Sequence, residues 1–292
     1  MAGHGSVLIT GATGTVGSGL VQALRSKDVE VRALVRDPAK AEALRSQGVE
    51  VVAGDLDRPE SLEEAVQDVA KIFLITWNGP SAPLHAHNVI EAAKRTGRPH
   101  IVRQGAYGSE RSRIVRDHEA IDEELAASGL PVTILKPTWF MQNAMMAAST
   151  VASSGVIWMP FKDGRVGMID IRDIVDVAVE VLTGRGHEGK RYVLTGPASV
   201  SFHDVARALS GALDKPVAYV NVPPEVARQG FLDAGFPEWI ADGYLELIAD
   251  FADDWGDTVS PDVERLLGRP GRSLDAFARD FAPIFGGVAQ PA

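Results

Sequence analysis

Residues 7–17 read Val-Leu-Ile-Thr-Gly-Ala-Thr-Gly-Thr-Val-Gly, and the fold turns on this stretch. Val7–Thr10 is a short apolar run of the kind that forms a buried strand. Val16, Leu20 and Leu24 then recur at helical spacing. Between strand and helix stand Gly11, Thr13, Gly14, Thr15 and Gly17. A glycine at 11 permits a tight turn, a small residue at 14 lets a pyrophosphate approach the backbone, and Gly17 lets the helix pack against the strand. The free amides of the helix start, together with the helix dipole, suit an anion. Strand, glycine turn and helix in this order predict a dinucleotide-binding unit.

Outward from this turn the pattern repeats. Strands are predicted at Val29–Val35, Val49–Ala53, Lys71–Thr76, His100–Arg103 and Pro131–Lys136. Helices are predicted at Pro38–Ser46, after a capping box of Asp57 and Glu60, at Pro83–Thr96, and around Ile114, His118, Ile121 and Leu125. Such alternation predicts an α/β fold: a Rossmann-type, doubly wound parallel sheet covered on both faces. Beyond Pro137 the order loosens. A helical stretch over 137–155, a strand at Val156–Phe161, a helix at Asp173–Leu182 and a strand at Arg191–Leu194 precede a mostly helical remainder. Trp239, Leu245, Ile248, Phe251 and Trp255 are its expected anchors. The expected division is a cofactor domain over 1–155, with segments 164–200 returning to it, and a smaller C-terminal substrate or lid lobe over 201–292.

The 292 residues are 45% hydrophobic and 23% charged, the balance of a globular protein with a sizeable core. A net charge of −10 argues against a nucleic-acid surface. The excess is uneven: residues 223–292 hold 13 acidic side chains against 5 arginines. An acidic lobe facing a cleft would favour neutral, aromatic-like small molecules over anions. Without cysteine there is no thiolate nucleophile, disulfide or iron–sulfur cluster. Met1–Ser6 reads as no signal peptide, and no run reaches the length of a membrane span. The expectation is a cytoplasmic protein with no membrane partner, for which a homodimer remains open.

The end of the second strand selects the cofactor. NAD sites usually place Asp or Glu there for the ribose 2′-hydroxyl. Here Arg36 follows Val35 and Lys40 lies four residues on, which suits a 2′-phosphate and predicts NADP(H). Asp37 keeps NAD open. Asp55 and Leu56 lie where an adenine would rest. Thr76 and Trp77 end the fourth strand, at the carboxyl edge where ligands bind in open sheets.

The segments GATGTVG (11–17), VRALVRDPAKAEAL (31–44), GDLDRPESLEEAV (54–66), SGLPVTILKPTWFMQN (128–143), DIRDIVDVAVEVL (170–182) and GKRYVLTGPASVSFHDVARAL (189–209) together resemble the NmrA-like group of atypical short-chain dehydrogenase/reductases. The resemblance covers nearly the whole chain. It implies NADPH-dependent reduction of quinones or other conjugated or carbonyl acceptors, or else NADP(H) sensing without catalysis. A reductase tailoring a polycyclic secondary metabolite is a third reading. It also implies cofactor contacts by Arg36, Lys40 and the segment Pro137-Thr138-Trp139-Phe140. The wider superfamily works with a Ser, a Tyr and a Lys. Alignment puts Gly105, Ile114 and His118 at those positions, so all three are missing and ordinary alcohol dehydrogenation is disfavoured.

Within that reading His118, whose ring can titrate near neutrality and serve as a ribose contact or proton donor rather than a hydrogen-bonded core histidine, and Tyr107 are the catalytic candidates. Trp139, Phe140 and Asn143, with Met141, Met145 and Met146, are candidates to line an apolar substrate pocket. His85 and His87 point about 200° apart on a helix and make no metal site.

Overall fold

The computed structural model describes residues 5–287. Residues 1–4 of the stretch read for a signal peptide, and 288–292 of the expected lobe, lie outside them. The elements run β1 (Val7–Ile9), α1 (Thr15–Arg25), β2 (Val31–Val35), α2 (Glu42–Arg45), β3 (Glu50–Ala53), α3 (Leu62–Val66), β4 (Lys71–Leu74), α4 (Ala82–Arg95), β5 (His100–Gln104), α5 (Arg113–Ala127) and β6 (Val132–Pro137). They continue with α6 (Ala148–Ser154), β7 (Val156–Met159), α7 (Ile171–Thr183), β8 (Arg191–Leu194), α8 (Phe202–Leu213), β9 (Ala218–Asn221), α9 (Pro224–Asp233), α10 (Glu238–Ala252), α11 (Asp262–Leu267) and α12 (Leu274–Phe285).

Seven strands form one sheet in the order β3-β2-β1-β4-β5-β6-β8. The ladders from β3 to β6 are all parallel. The run 3-2-1-4-5-6 is that of a doubly wound dinucleotide-binding fold, and it reverses direction between β1 and β4. This is the α/β, Rossmann-type sheet expected from the alternation.

The chain divides into two units. The first comprises residues up to Ala106, with Asp117–Lys136 and Ile174–Tyr192. The second comprises Tyr107–Arg116, Pro137–Asp173 and everything from Val193 on. In the first unit Leu8, Leu34, Ile72, Ile101 and Ile134 from five adjacent strands meet Leu62, Val89, Ile90, Ile121 and Leu125 from α3, α4 and α5 in one buried cluster. On α1, Val16, Leu20, Val21 and Leu24 are buried at the spacing the sequence shows.

The second unit has its own core, built on aromatic rings. Trp139, Phe161, Phe202 and Phe251 are buried in it. The Trp139 indole stands edge-on to Phe161, Tyr244 and Phe251, with centroids 5.2–6.0 Å apart. Each fully buried ring of this kind is worth about 1.5–3 kcal/mol of apolar transfer. Two charged anchors complete it. Buried Asp173 takes Arg269 and Arg272, and buried Asp170 takes Arg172 and Gln142. A second, two-stranded sheet pairs β7 with β9 in parallel, Val156 opposite Ala218 through Met159 opposite Asn221.

Several local expectations change. The single helix expected over Pro38–Ser46 is a 3-10 turn, Pro38–Lys40, followed by the short α2. The Asp57–Glu60 capping box does not form: α3 follows a 3-10 turn at Pro59–Ser61, and the Asp57 carboxylate instead meets His85 at 2.8 Å. Residues 141–147 are 3-10 before α6 begins. Strand β9 lies inside the stretch read as helical. Ile248 and Phe251 are buried as expected, whereas Trp255 is exposed.

Candidate cofactor and active site

The turn after β1 is fixed by atoms that leave room only for glycine. Gly11 takes a φ of +66°, in the left-handed region that favours glycine. The Gly14 amide donates to the Gly11 carbonyl at 3.0 Å. A Cβ on Gly17 would fall 2.1 Å from the Gly11 oxygen and 2.9 Å from the Ala12 Cα, whereas one on Gly14 would meet only the Gly11 oxygen at 3.3 Å. Thr13, Gly14 and Thr15 are exposed. Gly14 caps α1 with no side chain, and the first turn of the helix carries no acid. The first amides of α1 are thus left for an outside anion, at the positive end of the helix dipole. Buried Thr10 ties this turn to the exit of β4. Its hydroxyl donates to the Ile75 carbonyl at 2.7 Å and accepts the Ile75 amide at 2.8 Å.

At the end of β2 one cation is free and the neighbouring acid is occupied. Arg36 is exposed and has no hydrogen-bond or ion-pair partner among the described residues. The Asp37 carboxylate accepts the Ala39 amide at 3.1 Å and lies 3.5 Å from the Lys40 ammonium. An acid that caps its own turn and faces a lysine is poorly placed to take a ribose hydroxyl. A free guanidinium suits a phosphate. Asp55 accepts the Asp57 amide at 3.1 Å through one carboxylate oxygen, while Leu56 leans on the core of the first unit.

Past β4, Thr76 is buried and Trp77 is 74% exposed. Next to it begins a chain of hydrogen bonds. Arg103, on β5, is wholly buried. Its guanidinium donates to the Gln104 and Leu74 carbonyls and, at 2.9 Å, to Nδ1 of His118. The other ring nitrogen of His118 meets Oδ1 of Asn78 at 3.0 Å. Burial and then the neighbouring guanidinium hold the imidazole pKa well below its usual value. His118 does sit on the inward face with Ile114, Ile121 and Leu125. Against the expectation of a ring that titrates near neutrality, burial and the guanidinium disfavour the protonated ring, which stands between a cation and an amide.

A second buried charge lies close by. Neither oxygen of the fully buried Asp122 has a hydrogen-bond partner, and Lys136 is 3.8 Å away while it also pairs with Glu119. Burial pushes the Asp122 carboxyl up to about 6, against the pull of Arg103 and Lys136. A Cβ on Gly105 would stand 3.3–3.4 Å from both oxygens. The position where the superfamily keeps its serine therefore faces a carboxylate. At the tyrosine position Ile114 is buried against Gly243.

The remaining candidates belong to the second unit. Tyr107 is half-buried, its ring 4.9 Å from that of Trp255. Pro137 and Thr138 are buried, and the Thr138 hydroxyl donates to the Gly167 carbonyl at 2.6 Å. Trp139 is 3% exposed, in the middle of the aromatic cluster. In this structure it packs as core. Met141 is buried there too. Phe140 is partly exposed and bridges to Ile169. Asn143 is partly exposed, its backbone N–H donating to the Phe140 carbonyl at 3.0 Å.

The acids of the C-terminal stretch are largely engaged inside this unit. Glu246 takes Arg113 at 2.6 Å, Asp253 takes Lys162 at 3.2 Å, and Asp280 takes Arg172 at 2.6 Å. They bind helices to earlier segments of the same unit.

Among the described residues no group of three or more His, Asp and Glu could hold a metal ion. His85 pairs with Asp57, and His87 with Glu124. No helix among them is long and apolar enough to cross a membrane.

Two residues of the β4–β5 edge escaped the sequence reading, Asn78 and Arg103. Arg103 carried a signal: a charge inside an otherwise apolar strand is almost never buried without a partner.

Comparison with known proteins agrees with this geometry. An NAD(P)H azoreductase of Xenophilus azovorans is 38% identical over 96% of this chain and 99% of its own. The NADPH complex of the quinone oxidoreductase QOR2 of Escherichia coli superposes with a TM-score of 0.86 at 27% identity, over 94% of this chain and 99% of that one. The triphenylmethane reductase of Citrobacter sp., complexed with NADP(H), gives 0.84 at 28% identity, over 95% and 99%. The NmrA-like family matches residues 4–269. This chain belongs to the NmrA-like family.

Proposed function

We propose that this protein is an NADP(H)-dependent reductase that passes a hydride to a small quinone or to a dye-like conjugated acceptor. The observation that carries the reading is the pairing of an anion-ready turn at Gly11–Gly17 with an unpartnered Arg36 at the end of β2. Together they fit a pyrophosphate and a ribose 2′-phosphate. Asp37 is spent on its own turn, which favours NADP(H) over NAD(H). The names of the relatives point the same way: an azoreductase, a quinone oxidoreductase and a triphenylmethane reductase.

The absence of a Ser/Tyr/Lys set fits an acceptor that needs little help from an acid. Bound NADPH supplies the hydride. A quinone that takes this hydride and one proton becomes a hydroquinone. An azo bond takes the same pair to a hydrazo compound, and a second NADPH and proton would cleave that to two amines. The protein positions the reactants, and that is where its rate advantage arises. Of the residues in the second unit, Tyr107, Phe140 and Asn143 remain our candidates to meet the acceptor. Cytoplasmic residence, where NADPH is plentiful, fits a chain without cysteine.

The test is anaerobic NADPH oxidation with a panel of quinones, azo dyes and triphenylmethane dyes. Turnover of at least one class, with NADPH preferred to NADH, is the expected result. Tight NADPH binding without turnover of any acceptor would replace this reading with that of a cofactor-sensing protein, which the sealing of His118 would suit.

A further inference from the structure

We propose that Asn78 holds the nicotinamide half of the dinucleotide through its side-chain amide donors, and that Arg103 and His118 are positioning residues that act through it. The proposal rests on the NADP(H) reading above.

It follows from hydrogen-bond polarity. A guanidinium has only donors. Nδ1 of His118, 2.9 Å from Arg103, must therefore be the bare nitrogen that accepts. In a neutral imidazole the proton then sits on Nε2, which donates to Asn78 at 3.0 Å. The atom of Asn78 facing the ring must be its oxygen, and the amide nitrogen must point the other way. That nitrogen has two hydrogens and no acceptor among the described residues, and Asn78 is partly exposed. A buried cation thus dictates, through two hydrogen bonds and one imidazole, which face of a partly exposed amide looks outward.

The outward face lies where the cofactor must continue. Strand order puts β2 and β3 on one side of β1 and β4 and β5 on the other. Arg36 stands at the end of β2, on the adenosine side. A dinucleotide seated on the turn after β1 then runs its other half across the ends of β4 and β5. Asn78 follows β4, and Arg103 lies on β5. The nicotinamide half offers ribose hydroxyls and a carboxamide oxygen, each an acceptor for an amide N–H. No serine, tyrosine or lysine of the superfamily set is there to take that part.

The arrangement also explains why a histidine replaces the superfamily lysine. A lysine at 118 would face the guanidinium of Arg103 with a second positive charge. A neutral imidazole accepts on one side and donates on the other.

The test combines binding and a double-mutant cycle on the full chain. Asn78→Asp keeps the oxygen that His118 needs and removes both outward hydrogens. Asn78→Ala removes the hydrogens without adding charge. Each should weaken NADPH binding by about five- to tenfold, the scale of one lost hydrogen bond. Thermal melting without cofactor should stay close to wild type in Asn78→Asp, which keeps the acceptor for His118, and fall slightly in Asn78→Ala, which removes it. His118→Leu should weaken NADPH binding by a similar factor, and adding it to Asn78→Ala should cost no further affinity.

Unchanged NADPH affinity in both Asn78 variants, with wild type binding normally, would overturn the role of Asn78 and leave the reductase reading standing. Additive losses in the double variant would overturn the positioning role, since a merely structural histidine would weaken binding independently of Asn78. Failure of wild type itself to bind NADPH would instead bring down the reading on which the proposal rests.

Discussion

The two edges of the first unit's sheet are built from the same kinds of residue and end differently. At the amino edge Lys71, the first residue of β4, donates to the Val181 and Gly184 carbonyls at the end of α7. Beside it His100 meets the Thr133 hydroxyl at 2.8 Å, and that hydroxyl donates to the His187 carbonyl at 2.6 Å. Arg32 closes on the Ala65 and Gln67 carbonyls. Lys71, Arg32 and the Thr133 hydroxyl all donate to backbone oxygens, while Nδ1 of His100 lies 3.9 Å from Glu188 without a hydrogen bond. At the carboxyl edge Arg103 and His118 repeat the motif of a cation beside a buried neutral histidine, but the chain stops at Asn78 with two hydrogens unspent. The amino edge spends its donors on the fold itself. The carboxyl edge is left open for something the chain does not contain.

The largest effect should come from closing the open edge at its tightest point. Gly17→Ala would set a methyl 2.1 Å from the Gly11 oxygen, so the turn must shift. Stability should drop by about 1–3 kcal/mol as for other overpacked sites. NADPH affinity should drop by about a hundredfold, since one or two charge-assisted amide bonds to phosphate go with it. Melting curves and fluorescence titration measure both. Arg36→Ala comes next: about ten- to a hundredfold weaker NADPH binding, unchanged stability and unchanged NADH binding. An equal loss for both cofactors would show that Arg36 is not the residue that distinguishes them.

The two histidines give the direct test of the comparison. His100→Leu should lower the melting temperature and leave NADPH affinity as it is, whereas His118→Leu should lower both. Their pH behaviour separates them from Asp122. Burial, and then Lys71, push the His100 pKa down to about 4. A depressed folded-state value means the unfolded chain binds the proton first. The stability His100 contributes is full above about pH 6.5 and is lost as pH falls toward 4, on the order of 3 kcal/mol. His118 acts in the same direction. Asp122, raised to about 6, works the other way: it takes stability away as pH climbs from about 4 to 6. The melting temperature of wild type should therefore fall on acidification below about 6.5, and His100→Leu should flatten that slope. An unchanged slope would show that His100 is not held neutral.

The turn at Gly11–Gly17 was legible because its glycines answer to backbone atoms in the same seven residues. The central parallel strands were legible because runs such as Val7–Ile9 and Ile72–Leu74 are apolar enough to need cover on two faces. Strand β9 was not: Ala218–Asn221 is four residues among helices, and its partner β7 lies some sixty residues earlier. The charge excess of residues 223–292 could be counted, but its partners Arg113, Lys162 and Arg172 belong to earlier segments. Trp139 read as a pocket residue because an aromatic next to methionines looks alike in a wall and in a core. His118 was placed on the correct face of α5, yet its pKa is held down first by burial and then by Arg103, fifteen residues away. Local sterics are written locally, whereas polarity and burial are set by whatever the chain folds against.

The smallest effect is expected at Trp77. Its indole is 74% exposed beside Asn78, an unusual cost for so large an apolar group in a loop at the ligand-binding edge. Nothing in the first unit's core leans on it, so Trp77→Ala should leave the melting temperature within about 0.5 kcal/mol of wild type. If the ring packs on a flat acceptor or on the nicotinamide, turnover should fall by about two- to tenfold, the worth of one aromatic contact. Acceptors of different ring size decide between the two. A loss that grows from a one-ring quinone to a polycyclic dye places the indole against the acceptor. A uniform loss, matched by weaker NADPH binding, places it against the cofactor with Asn78. No loss in either would show that the open edge ends at Asn78 and does not include its neighbour.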